Sequence, residues 1–497
     1  MFNLVKNELT KIFNKKGIYI VLIIFLLFTS LILGIQKYSE TIVYSYLEDT
    51  NVMVDIDTST DEGKVEYWNE KTSNEINKLA NKYGGYTTWQ GEKILTDVWA
   101  IKLDMNLYEN GLGDFAIYTN YTKEELTKEY EKIMGRIEKG DWKSFVEEEL
   151  KETQEEISST EETLKITKDD DTRKEINKNL EILKLKEQSN KWRLEKEIPY
   201  RDSKYDSALD NYYSYGSFLV NNNYQYNINE KNYKEKISKE FDYSSKLQYQ
   251  TALEQFNIAK YCIENEIQTS NETVSGVLED LISSMGILFI IIISVMITGT
   301  IVSEEFNKNT IKLLLIRPYT RKKILLSKII ASIIAILIAI LCMVLIQTVV
   351  SGIIYGFDTI NIPVLKYNFN TNSVMEFNVF VWLIIDLINV SPIIIILSTM
   401  ALTVGTLLTN SSSAITLSIL SYMGANILKQ IAIYSTKIKW LKFIPFVNWN
   451  LSDYMFGKLS QLQGATLPIA ILTCSIFVVI MLIVTFENFA RKNIKNI

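Results

Sequence analysis

Long apolar runs and one long charged stretch divide this chain. A hydrocarbon layer about 30 Å thick is crossed by roughly 20 apolar residues in a helix. Six stretches meet that requirement: residues 18–35, 281–302, 329–354, 379–408, 414–433 and 467–486. Between Phe380 and Leu420 the only charge is Asp386, so that length predicts two helices, with a turn at Thr409-Asn410-Ser411-Ser412-Ser413. Lys11, Lys15 and Lys16 precede the first run as they would in a signal peptide. Gly34-Ile35-Gln36-Lys37 lacks a small-x-small cleavage site, however, which predicts an uncleaved anchor.

The stretch 37–280 follows a different pattern. Trp142, Val146, Leu150, Ile157 and Leu164 keep helical spacing, and so do Ile176, Leu180, Leu183, Leu194 and Ile198. Residues 141–215 hold no glycine and a single proline, Pro199. With Lys168-Asp169-Asp170-Asp171 as the turn, the spacing predicts an antiparallel hairpin arm near 142–198, about 35 Å long at the helical rise. A further helix is expected over 230–267, and a short strand over 41–46.

Charge sharpens the division. Residues 37–280 carry 32 basic against 50 acidic side chains, a net charge of −18, and the rest carries 20 against 8, or +12. The expected fold is therefore an all-α integral membrane protein. Six transmembrane helices carry a large, mainly α-helical extracytoplasmic domain between helices 1 and 2. Lysines and arginines of the short loops orient it. Lys6, Lys308, Lys312, Arg317, Arg321, Lys322, Lys323, Lys328 and Arg491 join the N-terminal lysines on the expected cytoplasmic side, with both termini. Lys366, Lys437, Lys439, Lys442 and Lys458 fall outside, which leaves the bias imperfect.

Composition also removes chemistry. The 497 residues include no histidine, hence no histidine base, triad or metal ligand. Cys262, Cys342 and Cys474 form no CxxC pair, and no phosphate-binding loop sequence occurs. No catalytic or metal residue is assigned, and an acidic domain argues against nucleic acid. The 21 tyrosines of 37–280, of 28 in the chain, suit the packing of a helical domain. They also suit an aromatic and acidic surface that gathers cationic, amphipathic peptides.

One loop, 303–328, is ordered beyond what topology requires. The acidic pair Glu304-Glu305 opens it, and Thr310 leads an apolar run with Ile311, Leu314 and Leu315. Arg317 and Pro318 end the run, and a basic cluster from Arg321 starts the next helix. That order resembles the loop of type-2 ABC exporter permeases, the bacitracin-permease and sodium-efflux-permease relatives. Asn309 stands where that family usually has glycine. Residues 1–17, with Phe2, Val5, Leu9, Ile12 and Phe13 beside Lys6 and Lys11, are similar to the family's amphipathic elbow helix. Residues near 443–456 resemble its re-entrant segment before the last helix.

The resemblance covers 1–36 and 281–497 and does not reach 37–280. It implies a permease subunit in a bacterial cell membrane with no cofactor of its own. A partner ABC ATPase would bind ATP and magnesium, and a second permease copy or a homologous permease would complete the exporter. In the family, the loop residues Glu304, Glu305, Thr310, Ile311, Leu314, Leu315, Arg317, Pro318 and Arg321 would form the coupling helix on that ATPase. The implied cargo is amphipathic: a peptide antibiotic, a bacteriocin or a lipid. Two rivals remain at this stage. One is an ATPase-driven mechanotransmission or sensing protein that moves no cargo, and the other is a membrane-anchored adhesion protein. Intramembrane polar groups default to function or helix contact, so Asp386, Asn389, Gln347 and Asn426 are the remaining candidates.

Overall fold

The computed structural model describes residues 1–48, 56–202, 204–222, 243–268, 272–283, 286–307, 319–434 and 439–491. Its first helices are α1 (Phe2–Phe13), α2 (Lys16–Glu48), α3 (Asp61–Lys82), α4 (Trp99–Glu109) and α5 (Lys123–Lys139). Then come α6 (Trp142–Ile166), α7 (Asp170–Glu195), α8 (Asp206–Asn221), α9 (Tyr243–Asn265) and α10 (Val274–Ser283). The last are α11 (Gly286–Ile301), α12 (Arg321–Tyr355), α13 (Val379–Leu408), α14 (Ser411–Tyr434) and α15 (Leu467–Arg491). Between α12 and α13, β1 (Val364–Asn368) and β2 (Ser373–Phe377) pair antiparallel, with Lys366 opposite Met375.

Two expectations fail. Residues 41–46 continue α2 instead of forming a strand. An all-α chain was expected, yet a β-hairpin follows α12, where Gly356 (φ 90°) ends the helix. The expected helix over 230–267 is described only as α9, because 223–242 lie outside the described residues.

The chain divides into two compact units. The first comprises Met1–Leu33, Lys231–Thr251 and Asn271–Ile497, and the second Gly34–Glu230 and Ala252–Ser270. Five helices among the described residues are long and apolar enough to cross a membrane: Lys16–Tyr38, Gly286–Phe306, Arg321–Tyr355, Val379–Leu408 and Leu467–Arg491. The apolar run at 414–433 also forms a helix, α14, which is not among those five.

In the first unit α11 is the central helix, with Ile290, Ile291, Ile293 and Val295 all at most 1% exposed. Small residues let it approach its neighbours. A Cβ placed on Gly405 of α13 would lie 3.0 Å from the Gly299 carbonyl of α11, and one on Gly299 3.4 Å from Ala414 of α14. Where lipid gives helices no hydrophobic reason to associate, such close backbone contact supplies the attraction. Thr403 and Thr485 add a hydroxyl pair at 2.8 Å between α13 and α15.

In the second unit, several helices begin on side-chain caps, as at Thr60, Asp141 and Asp169. Thr122 and Glu125 form a capping box at the start of α5, and Gly140 (φ 68°) closes its end. Helices α6 and α7 run antiparallel, as their cross-links show: Gln154 to Glu187 at 2.9 Å, Glu149 to Lys186 at 3.0 Å and Lys143 to Glu197 at 2.6 Å. One core joins Ile76, Ile94, Val98, Leu126 and Ile137. Elsewhere Trp192 meets Tyr212 edge to face at 4.8 Å, and Tyr212 stacks on Phe256 at 5.0 Å.

Candidate functional site

Helix α1 is amphipathic, and its packed face keeps Val5, Leu9, Ile12 and Phe13 of the expected stripe but loses Phe2 and takes in Leu4 and Glu8. Phe2 is 80% exposed, whereas Leu4, Val5, Glu8 and Ile12 are buried. A carboxylate thus sits in the middle of the face that packs on α12. Burial of such a charge is tolerated only with a partner, and the partner is Lys328, in the second turn of α12.

The Lys328 side chain is fully buried and its ammonium makes three contacts. It donates to Glu8 Oε2 at 2.7 Å, to Glu305 Oε1 at 2.7 Å and to the Ile301 carbonyl at 3.1 Å. Three N–H donors meet three oxygens, so the charge is neutralised and its hydrogen bonds are filled. Lys11 closes the arrangement, 2.9 Å from both Glu8 Oε1 and Glu305 Oε1. One turn on, Lys15 reaches Glu304 at 2.8 Å and the Thr300 hydroxyl at 2.7 Å. The result is a charge lock of two carboxylates and two ammonium groups joining α1, the end of α11 and the start of α12. Burial would raise the Glu8 carboxyl, but Lys328 and Lys11 outweigh it and hold its pKa below the ordinary carboxylate value. For Lys11, burial would lower the pKa, while Glu305 and Glu8 raise it above the usual lysine value.

This arrangement redirects part of the expected coupling segment. Glu304 and Glu305 face lysines of their own chain, and Arg321 Nη1 donates to the Ala490 carbonyl of α15 at 2.9 Å. Thr310, Ile311, Leu314, Leu315, Arg317 and Pro318 lie outside the described residues. Glu8 was missed and Lys328 was counted only as a topological charge. The available signals were an acid at i+4 from Leu4 inside an apolar face, and a lysine inside the apolar start of a span.

A second polar site lies on α13, about two turns from its start. Asp386 and Asn389 share the buried face of α13, 2% and 7% exposed. Asn389 Nδ2 lies 2.6 Å from Met455 Sδ in the 3₁₀ turn Leu451–Gly457. Asp386 Oδ2 has no hydrogen-bond partner among the described residues, and the charges that reach it are Lys366, Glu279 and Asp280. Lys366 pairs with Glu279 and stands 4.6 Å from the Trp382 ring centroid. Phe456, at φ 52°, stacks on Trp382 at 6.3 Å and anchors the 443–456 segment on α13. Gln347 is buried with its Oε1 unpartnered among the described residues, whereas Asn426 is exposed on α14. No group of acidic or sulfur ligands among the described residues is arranged to hold a metal ion.

Comparison with known proteins places the chain in a family. The family described as a protein of unknown function, DUF2705, matches residues 244–495, half of the chain, and the chain belongs to it. The uncharacterized protein YhcI of Bacillus subtilis (strain 168) is 27% identical over 203 residues, 41% of this chain and 64% of that protein. The uncharacterized membrane protein YdbK of the same organism is 25% identical over 203 residues, 41% of this chain and 77% of its own. The chain thus spans less than two thirds of the first relative's length. No solved structure matches it.

Proposed function

We propose that this DUF2705 member is the membrane subunit of an ATP-driven exporter, energised by a separate ABC ATPase and paired with a second permease. Six helices would span a bacterial cell membrane, with α14 as the sixth, since 24 residues rise about 36 Å. The basic residues around α1 and α12 would lie in the cytoplasm with both termini, and the acidic unit outside. YdbK's description as a membrane protein supports the location. The cargo would be amphipathic, a peptide antibiotic, a bacteriocin or a lipid.

The charge lock carries this reading. A chain without a phosphate-binding loop can use ATP only through a partner, and the force must pass through a cytoplasmic contact. The segment between Glu305 and Arg321 is the natural contact. The Lys328 cluster ties its start to α1 and α12, so a push there moves three helices together. Because Arg321 already binds the α15 end, the test rests on the apolar run. Leu314→Ala with Leu315→Ala removes anchors each worth about 2 kcal/mol, so recovery of the ATPase with the tagged chain should fall at least about 30-fold. Undiminished recovery, or no nucleotide-binding subunit recovered with the unaltered chain, would remove the exporter reading. A mechanotransmission protein would share the ATPase, and cargo movement in sealed vesicles separates the two.

A further inference from the structure

We infer that the second unit holds a binding cleft for a short segment of a cationic, amphipathic peptide. The cleft has a volume of about 870 Å³, inside the range of about 300–1,000 Å³ typical of ligand pockets. Its floor is apolar: Trp89, Ile101, Leu126, Ile133 and Phe145 are each no more than 8% exposed. Around that floor stand six carboxylates, Glu92, Asp97, Glu129, Glu148, Glu149 and Glu152. Arg201, Lys93, Lys132, Arg136 and Lys186 pair with the first five, and Glu152 has no ion pair among the described residues.

The mouth is aromatic and firmly held. Tyr118 and Tyr121 are 38% and 48% exposed and meet edge to face at 5.9 Å. Asp104, fully buried, accepts the backbone N–H groups of Ile117 and Tyr118 at 2.7 and 2.6 Å. An unfilled buried carboxylate would be costly, so these two bonds fix the backbone that presents the tyrosines.

The chain's own side chains show which chemistry the cleft accepts. The Lys93 ammonium lies 2.9 Å from Asp97 Oδ2, and 5.4 and 5.7 Å from the ring centroids of Phe145 and Tyr200. Arg136 approaches the same Phe145 ring at 5.3 Å while binding Glu148 at 2.5 Å. Each is a cation held between a carboxylate and an aromatic ring. Arg136 and Lys186 hold Glu148 and Glu149 in place, and a paired carboxylate keeps further acceptor positions. Carboxylates outnumber their partner cations here by one, so an anion is disfavoured, and a purely apolar ligand would leave Glu152 and the open acceptor positions unused. A peptide segment with ammonium groups flanking apolar side chains satisfies both the walls and the floor.

The test uses the full chain in non-ionic detergent, with no nucleotide or ATPase, so its outcome is separable from that of the exporter proposal. The probe is a short fluorescent peptide of alternating Lys-Lys and Leu-Trp pairs, followed by anisotropy. Saturable binding is expected, and the same peptide with Glu in place of Lys should not bind. Glu152→Gln with Tyr121→Ala, both at exposed positions, should weaken binding at least about tenfold without altering the circular dichroism spectrum. Lys93→Ala should tighten binding, because the probe's ammonium then takes the place of Lys93 beside Asp97. Absence of saturable binding, equal binding of the Glu peptide, unchanged affinity of the double variant or weaker binding by Lys93→Ala would each overturn the assignment.

Discussion

The two units use the same ion-pair chemistry in opposite settings. In the first, charges are few and sunk among apolar helices: the Lys328 side chain is 0% exposed, with Glu8 and Glu305 at 8% and 9%. In the second, most pairs are wet, such as Lys174–Asp171 at 71% and 90% exposed or Lys151–Glu155 at 79% and 70%, although Arg193–Asp206 is largely buried. Water screens the second kind to at most about 1 kcal/mol. The Lys328 side chain has no exposed surface, so its partners must be present and correctly placed. A buried ion cluster therefore fixes which segments stay together, whereas an exposed one mainly keeps a surface soluble. The apolar surfaces differ in the same sense. Leu27 and Ile353 of the first unit are 65% and 73% exposed, as suits side chains facing lipid, while the second unit exposes few aliphatic side chains among its described residues, Ile117 and Ile166 being examples.

The largest effect should come from breaking the lock. Lys328→Met leaves Glu8 and Glu305 with one partly exposed lysine between them and should cost about 3–5 kcal/mol. The expected readout is loss of monodisperse protein on detergent extraction. Adding Glu8→Gln and Glu305→Gln should restore much of it, because no uncompensated charge then remains. If Lys328→Met alone extracts normally, the contrast between buried and exposed pairs fails.

A middle-sized effect belongs to the second unit's core. Ile137 is 1% exposed between α5 and its neighbours, and Ile137→Ala should cost about 2–5 kcal/mol through lost burial and the cavity left behind. Thermal unfolding of the full chain, followed by circular dichroism, should show the helical signal of this unit melting earlier. A shift smaller than that of any surface variant would mean that this core does not hold the unit together.

The smallest effect should come from the exposed pairs. Lys174→Ala removes the partner of Asp171 and should change stability by no more than about 0.5 kcal/mol. The same melting experiment checks it, and a larger loss would show that the hairpin tip is less open to water than its exposure indicates.

Local pattern made much of this protein legible. Twenty-residue apolar runs mark helices wherever they occur, because the backbone's hydrogen bonds must be met within the segment once water is excluded. Spacing of Trp142, Val146 and Leu150, or of Leu180 and Leu183, likewise points to helices, and α6 and α7 lie there. Which of those positions is buried was less legible. Val146, Leu180 and Leu183 are buried, but Leu150 and Leu164 are only half-buried, since a two-helix arm has little to cover its outer end.

Other features depend on residues far apart in the chain, and no local window holds them. Glu8 and Lys328 are separated by 320 positions, and only the packing of α1 on α12 turns an acid in an apolar stripe and a lysine in a span into one neutral cluster. The cleft draws on residues from Trp89 to Tyr200, so composition indicated an acidic, tyrosine-rich domain without locating a site. The β-hairpin was hidden because its five-residue strands are stabilised by Phe456 and Trp382 from elsewhere, not by an alternation of their own. Sequence alone determined the helices of the long apolar runs and of the 142–198 arm, and the contrast in charge between 37–280 and the rest, because propensity, periodicity and charge belong to the residues themselves. Tertiary structure alone decided which charges are buried together and which rings and carboxylates share a cavity, because burial and distance belong to pairs of segments.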